Sequence, residues 1–79
     1  MKIHVEYYAI LKEQRGCSQE NLDTDAATPR ALYASLKGDH AFTLEDSDLK
    51  VAVNEDFASW DEALEEGDTV VFIPPVAGG

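Results

Sequence analysis

Hydrophobic and polar positions alternate at the start of the chain, as they do in a β-strand with one buried face. Across residues 2–8, Ile3, Val5 and Tyr7 share one face and the side chains between them share the other. The stretch that follows predicts a short helix, because it ends on Gly16 and glycine readily adopts the left-handed conformation at a helix end. The chain therefore opens with a strand and a short helix.

A longer helix is predicted after a polar segment, 17–23, whose composition is typical of a strand at a sheet edge. Thr28 suits the N-cap, since its hydroxyl can accept a hydrogen bond from a free amide of the first turn, and Pro29 suits the first helical position. Leucines four residues apart give this helix one apolar face. We expect the helix to end at Gly38.

The second half of the chain predicts short β-elements joined by polar turns. Residues 39–48 are polar and acidic and predict a surface loop, and residues 49–53 predict a strand with its valines on one face. Residues 54–56 have turn composition, and a very short strand is expected from Phe57. Two β groups are thus separated by one long helix, which favours an α+β fold.

The last strand, TVVFI, is apolar on both faces, which is typical of a strand in the centre of a sheet. We expect Val70 and Phe72 to point inward and Val71 and Ile73 to point outward. Placed parallel to the first strand, it completes a β-grasp arrangement, a mixed sheet with one main helix packed across one face. Residues 1–73 are predicted to form this domain.

Composition and charge narrow the range of functions. The 79 residues suffice for one domain, and they carry 16 acidic against 6 basic side chains, a net charge of −10. This excess opposes binding to nucleic acid, whose phosphates attract basic residues, and it favours either solubility or a basic protein partner. No apolar run is long enough to cross a membrane. With Cys17 as its single cysteine and no signal-peptide pattern, the chain is expected in a reducing cytoplasm.

The sequence offers little catalytic chemistry of its own. No nucleophile has an evident base, and His4 and His40 lie far from any metal-ligand spacing. Cys17 has no neighbouring lysine or histidine to activate it. No glycine-rich loop precedes a helix, so no phosphate cradle is expected. We therefore expect no metal and no bound cofactor, and no catalysis by this chain alone.

The end of the sequence, residues 74–79, predicts an extended functional tail. Pro74 and Pro75 fix φ and lack amide donors, so they end the strand and hold the tail away from the sheet. Gly78 and Gly79 have no Cβ and can thread a narrow channel. A carboxylate on Gly79 is a poor electrophile, but an ATP-using partner could convert it to an acyl-adenylate. A sulfur donor would then give a thiocarboxylate, and an amine would give an amide.

An exposed apolar patch follows from the predicted pairing of the first and last strands. Tyr8, Val71 and Ile73 would then lie together on the face opposite the core. Such a patch usually marks an interface. The alternative is that a loop covers the patch, and the segment that holds Trp60 is the candidate for that cover.

Several segments together resemble the small subunit of molybdopterin synthase, a family of ubiquitin-like β-grasp sulfur carriers. They are YYAILKEQRG, ALYASL, VAVNEDF, EEGD, VVFI and, most specifically, PPVAGG. The resemblance implies that Gly79 is adenylated by an E1-like enzyme with ATP and is then thiocarboxylated. It further implies that sulfur passes to cyclic pyranopterin monophosphate inside a heterotetramer of two small and two large catalytic subunits.

The resemblance also assigns roles to individual residues. Gly78 and Gly79 match the functional end of the family's tail, and Pro74, Pro75, Val76 and Ala77 match the segment that enters the large subunit. Tyr8, Phe57 and Ile73 fall where the family presents an apolar face to its partners, and Val71 joins them by strand alternation.

Three other interpretations remain open. The chain could carry sulfur for the thiamine thiazole, for tRNA thiolation or for cysteine. It could be a ubiquitin-like modifier that joins Gly79 to a lysine of another protein. It could also be a plain interaction module whose terminal glycines have no role, in which case deletion of Gly79 would do no harm.

Overall fold

A computed structural model describes residues 1–75, and a five-stranded mixed sheet is its framework. The strands are β1 (Lys2–Tyr7), β2 (Gln19–Asp23), β3 (Lys50–Val53), β4 (Asp56–Phe57) and β5 (Thr69–Ile73). The helices are α1 (Ala9–Arg15) and α2 (Pro29–His40), with a 3-10 turn at Asp46–Asp48. The strand order is β2-β1-β5-β3-β4, so the polar β2 lies at an edge as its composition predicts.

The first and last strands form the centre of the sheet. β1 and β5 run parallel, with Val5 opposite Val70 and Tyr7 opposite Phe72. All four side chains are buried on the face that also carries the helices. Parallel pairing of these two strands, with α2 across one face, is the predicted β-grasp arrangement, and the predicted inward and outward faces of β5 are confirmed.

The start of α2 follows the sequence prediction, but its end does not. The Ala31 N–H donates to the Thr28 hydroxyl at 3.2 Å, so Thr28 is the N-cap. The predicted stop at Gly38 is wrong, because the helix continues to His40 and ends at Ala41, which has a φ of 55°. The reason lies one residue further on, in the position of Phe42.

Phe42 belongs to the core, although the sequence analysis placed it in a polar surface loop over 39–48. Its ring lies 5.9 Å from that of Tyr7 and 5.9 Å from that of Tyr33. The chain must leave the helix at Ala41 to bring this ring inward, so burial of one aromatic side chain decides where the helix ends. The loop prediction is therefore wrong at its start, although a 3-10 turn does form within its second half.

A hydrogen-bonded ion pair joins β1, α1 and β2 at one end of the sheet. Arg15 donates from Nε and Nη2 to the two carboxylate oxygens of Glu20, each at 2.8 Å. The Tyr7 hydroxyl donates to the same carboxylate at 2.6 Å. The hydrogen bonds from Arg15, followed by that from Tyr7, hold the pKa of Glu20 below its usual value, while burial raises the pKa of Tyr7. The cluster fixes the short helix against the sheet.

The loop before β5 packs against the face of the sheet that carries the helices. Trp60 stacks on Phe72 with ring centroids 5.9 Å apart and meets Tyr33 edge-on at 6.0 Å. Leu64 is buried, and its N–H donates to the Ala27 carbonyl at 2.9 Å. Trp60 and Leu64 are thus the apolar anchors of this loop. Neither helix of the described chain is long and apolar enough to cross a bilayer.

Candidate functional site

Apolar side chains lie side by side on the face of the sheet opposite the helices. Strand register places Val71 opposite Ala52, and Ala52 opposite Phe57, so the three form one row across the sheet. Ile73 continues the apolar area one step further along β5. Phe57 and Tyr8 are its most exposed members, at 75% and 51%. We call Tyr8, Ala52, Phe57, Val71 and Ile73 the outer apolar surface.

Tyr8 reaches this surface because the alternation of β1 continues one residue past the strand. Its backbone is extended, with φ −129° and ψ 153°, and the chain turns into α1 only at Ala9. The Tyr8 hydroxyl lies 3.3 Å from the Glu6 carboxylate, to which it donates, so both side chains lie on the same face. The prediction that Tyr8 lies opposite Tyr7 is confirmed, although β1 itself ends at Tyr7.

A tight turn brings Phe57 to the surface. Asn54 and Glu55 both have positive φ, 52° and 76°, as a two-residue hairpin turn between β3 and β4 requires. The Asn54 amide donates to the buried Asp68 carboxylate at 2.9 Å, and the Asn54 side-chain oxygen accepts from the Thr69 N–H at 2.9 Å. The second Asp68 oxygen accepts from the Glu65 N–H at 2.8 Å. The turn is thereby held against the start of β5.

Among residues 1–75, the segment that holds Trp60 does not cover the outer apolar surface. Trp60 packs on Phe72 and Tyr33, which face the helices, whereas Val71 and Ile73 face the other way. The alternative of a loop cover is therefore wrong for this segment. The predicted exposed patch is confirmed as a structural feature. Ala52 also points to this face but is itself buried between its neighbours, and its position between two inward-facing valines was the sequence signal for that direction.

The predicted tail begins where β5 ends. Ile73 is the last residue of the strand, and it is followed by the half-buried Pro74 and the exposed Pro75, neither of which pairs with the sheet. The predicted roles of Val76, Ala77, Gly78 and Gly79 lie outside the described residues. The outer apolar surface and the start of the tail are therefore contiguous along one strand.

Within the described range, the structure contains no group of three or more His, Cys, Asp or Glu side chains that could hold a metal ion. The two ring nitrogens of His4 instead lie 2.7 Å from the Asn21 side-chain oxygen and 3.0 Å from that of Gln19. These contacts tie β1 to β2 across the outer face. What the described residues offer is an exposed apolar surface next to the first residues of the predicted tail.

Comparison with known proteins agrees with this arrangement. The model of the ThiS family matches residues 5–79. The molybdopterin synthase sulfur carrier subunit of Escherichia coli (strain K12) is 38% identical over 80 residues, which cover 98% of this chain and 99% of that protein.

Solved structures with the same fold include two with substantial sequence identity. SAMP1, the small archaeal modifier protein 1 of Haloferax volcanii, superimposes with a TM-score of 0.80 at 28% identity, covering 100% of both chains. A putative molybdopterin converting factor, subunit 1, from Pyrococcus furiosus also has a TM-score of 0.80, at 31% identity, covering 96% of this chain and 99% of that one. The fold is thus that of the ubiquitin-like β-grasp proteins.

Proposed function

Because the chain belongs to the ThiS family, we propose that it is the sulfur carrier subunit of a molybdopterin synthase. Its identity of 38% to the Escherichia coli sulfur carrier subunit, over nearly the full length of both chains, is the observation that carries the proposal. An apolar surface that residues 1–75 leave uncovered, directly before the tail, supports it, since a carrier must dock on the enzymes that load and unload it. We place this activity in the cytoplasm.

In the loading step, an E1-like enzyme transfers AMP from ATP to the Gly79 carboxylate, and pyrophosphate leaves. A sulfur donor then attacks the acyl carbon, AMP leaves, and Gly79 becomes a thiocarboxylate. ATP is bound by the activating partner, and the chain itself contributes no cofactor site. The absence of a Cβ at Gly78 and Gly79 allows the reacting carbon to enter a narrow channel.

In the unloading step, the tail enters the large catalytic subunit and the thiocarboxylate sulfur is transferred to cyclic pyranopterin monophosphate. Two small and two large subunits make up the proposed heterotetramer. β5 is the central strand and is paired on both sides, so a partner that binds Val71 and Ile73 contacts the middle of the sheet. Pro74 and Pro75 then direct Val76 and Ala77 away from the sheet into the partner, because proline restricts the directions that the chain can take.

The intact mass of the chain tests the loading step. The protein is incubated with the activating enzyme, ATP and a sulfide donor, and its mass is measured with and without ATP. We expect an increase equal to one oxygen-for-sulfur exchange, located at Gly79 by fragmentation, only when ATP is present. A mass that stays unchanged with an active enzyme would contradict the sulfur-carrier proposal. A thiocarboxylate that forms but yields no molybdopterin with the large subunit would point to another acceptor, such as the thiamine thiazole, tRNA or cysteine.

A second function, protein modification, is favoured by the likeness to the small archaeal modifier protein at a TM-score of 0.80. The same acyl-adenylate of Gly79 would then be attacked by a lysine amine, and an isopeptide bond would form as AMP leaves. Tryptic digestion of cell proteins followed by mass spectrometry would detect target lysines that carry the C-terminal remnant of this chain, residues 51–79, because Lys50 is its last basic residue. Only targets that lose the remnant when Gly79 is deleted would count in favour of this function.

A further inference from the structure

A groove opens on the outer face of the sheet, between the end of β1 and the turn that joins β3 to β4. Its lining is formed by Glu6, Tyr8, Asn54, Glu55, Thr69 and Val71. We call it the acidic groove, because its two charged side chains are both carboxylates and it contains no lysine or arginine. It shares Tyr8 and Val71 with the outer apolar surface and so extends that surface to one side.

The groove combines an apolar floor with a negative rim. Val71 and the ring of Tyr8 supply the apolar part, and Glu6 and Glu55 supply the carboxylates. The amide of Asn54 is already engaged by Asp68 and Thr69, so it has little left to offer a ligand. Such a lining fits a long side chain with an apolar stem and a cationic head, that is, a lysine or an arginine. The tyrosine ring adds to the attraction for a cation.

Glu55 occupies its position at a cost to the backbone. Its φ of 76° is one that glycine adopts easily and that other residues adopt with strain, and turns of this kind favour glycine at that place. Asn54, held by Asp68 and Thr69, fixes the turn, so the backbone position of Glu55 is set before any partner binds.

We propose that the acidic groove binds one lysine or arginine side chain of the large catalytic subunit. This inference rests on the proposed function, and it adds a charged contact to the apolar docking surface. The net charge of −10 and the continuity with the outer apolar surface both favour a basic protein partner as the occupant.

Because of the position of the groove, this contact would also orient the large subunit on the surface. At the other end of the outer apolar surface, Lys50 lies opposite Ile73, next to the start of the tail. The surface is therefore bordered by carboxylates on one side and by an ammonium group on the other. A partner whose charges are arranged in the complementary way binds this surface in one orientation only. In that orientation the tail enters the partner's channel.

The test measures binding of the purified large catalytic subunit to the full chain, by calorimetry and by association kinetics, at low and at physiological salt. Glu6→Gln and Glu55→Gln keep the size of the side chain and remove its charge. We expect each to weaken binding about tenfold at low salt, and less at physiological salt, because salt screens a charged contact at the surface. Asp39→Asn is the matched control, because it makes the same change in net charge at an exposed position on α2.

A third variant separates a binding role of Glu55 from a structural one. Glu55→Gly relieves the backbone at the turn, so it should raise the melting temperature and still weaken binding about tenfold. Glutamine variants that bind like the wild type would overturn the groove proposal and leave the proposed function standing. Equal weakening by Asp39→Asn would also overturn it, since net charge alone would then explain the effect. Failure of the wild-type chain itself to bind the large subunit would refute the proposed function together with the groove.

Discussion

Ile73 lies at the junction between the folded sheet and the segment that we propose carries the reacting carbon. It points to the outer face, where it is half-buried, and Pro74 follows it directly. Strand alternation predicted this direction from the sequence, because Val70 and Phe72 fill the core on the other side. Lys50 on β3 lies directly opposite Ile73, so the Ile73 side chain is next to both a charged neighbour and the start of the predicted tail.

Ile73→Lys should weaken binding to the large subunit at least tenfold, because the lysine charge would have to be desolvated at an apolar contact. It should lower the melting temperature only slightly, because the same charge stays in water in the free chain. Calorimetric titration and thermal unfolding measure the two effects. Ala34→Lys, at an exposed position on α2, is the control. An unchanged affinity for Ile73→Lys would show that the outer apolar surface does not contact this partner.

Glu20 determines a pH dependence of stability. Hydrogen bonds from Arg15, and then from Tyr7, hold its pKa below the usual 4.5, so its ionised form stabilises the fold above that value, and this contribution is lost as the pH falls through the lowered pKa. We expect Glu20→Gln to lower the melting temperature at neutral pH by about 5 °C. The difference from the wild type should shrink in acid. A difference that is the same at both pH values would contradict this assignment.

At the scale of elements, α2 shows where local signals compete with packing. Gly38 carries the sequence signal for a helix end, yet it lies inside the helix, and a Cβ there would meet no atom within 4 Å. Ala41 ends the helix at a φ of 55°, a conformation that favours glycine. Burial of Phe42 outweighs both local preferences. A buried aromatic side chain contributes on the order of 3–5 kcal/mol to stability, whereas a misplaced glycine costs about 1 kcal/mol.

Exchanging the two residue types should stabilise the protein. Gly38→Ala favours the helical conformation of the chain, and Ala41→Gly relieves the left-handed position, so each should add about 0.5–1 kcal/mol to the free energy of unfolding. Together they should raise the melting temperature by roughly 4–16 °C, because about 1 kcal/mol corresponds to roughly 4–8 °C in a domain of this size. Denaturation of both single variants and the double variant gives the values. If Gly38→Ala destabilised the fold, the placement of that residue within α2 would be wrong.

At the scale of the whole molecule, the sheet and its two helices form a closed core within residues 1–75, and the proposed chemistry lies beyond it. The buried cluster contains residues from every strand except β2 and the short β4, and from both helices. Gly79, the residue that would carry sulfur, follows the last strand, which ends at Ile73. Folding and function can therefore be separated by substitution.

Deletion of Gly79 should abolish sulfur transfer and leave the melting temperature within about 1 °C of the wild type, since the last strand already ends at Ile73. Single-turnover formation of molybdopterin with the large subunit measures the first effect, and thermal unfolding the second. Deletion of both Gly78 and Gly79 should behave in the same way. A deleted chain that unfolds, or one that still supports molybdopterin formation, would show that Gly79 is not a separate functional group.

The sequence by itself determined the features that depend on neighbouring residues. Alternation assigned the faces of β1 and β5, Thr28 and Pro29 marked the start of α2, and Gly16 marked the end of α1, because backbone geometry makes each of these signals local. The sequence also identified the tail motif, although the residues of this motif past 75 lie outside the described range.

Only the tertiary structure decided the features that join distant segments. It placed Phe42 in the core and so moved the end of α2, and it placed Trp60 on the face with the helices. It also linked Asn54 to Asp68 and brought Glu6 and Glu55 to one groove. No local pattern encodes these pairs, because their partners are chosen by shape and burial once the strands have paired, and those contacts form between residues far apart in the chain.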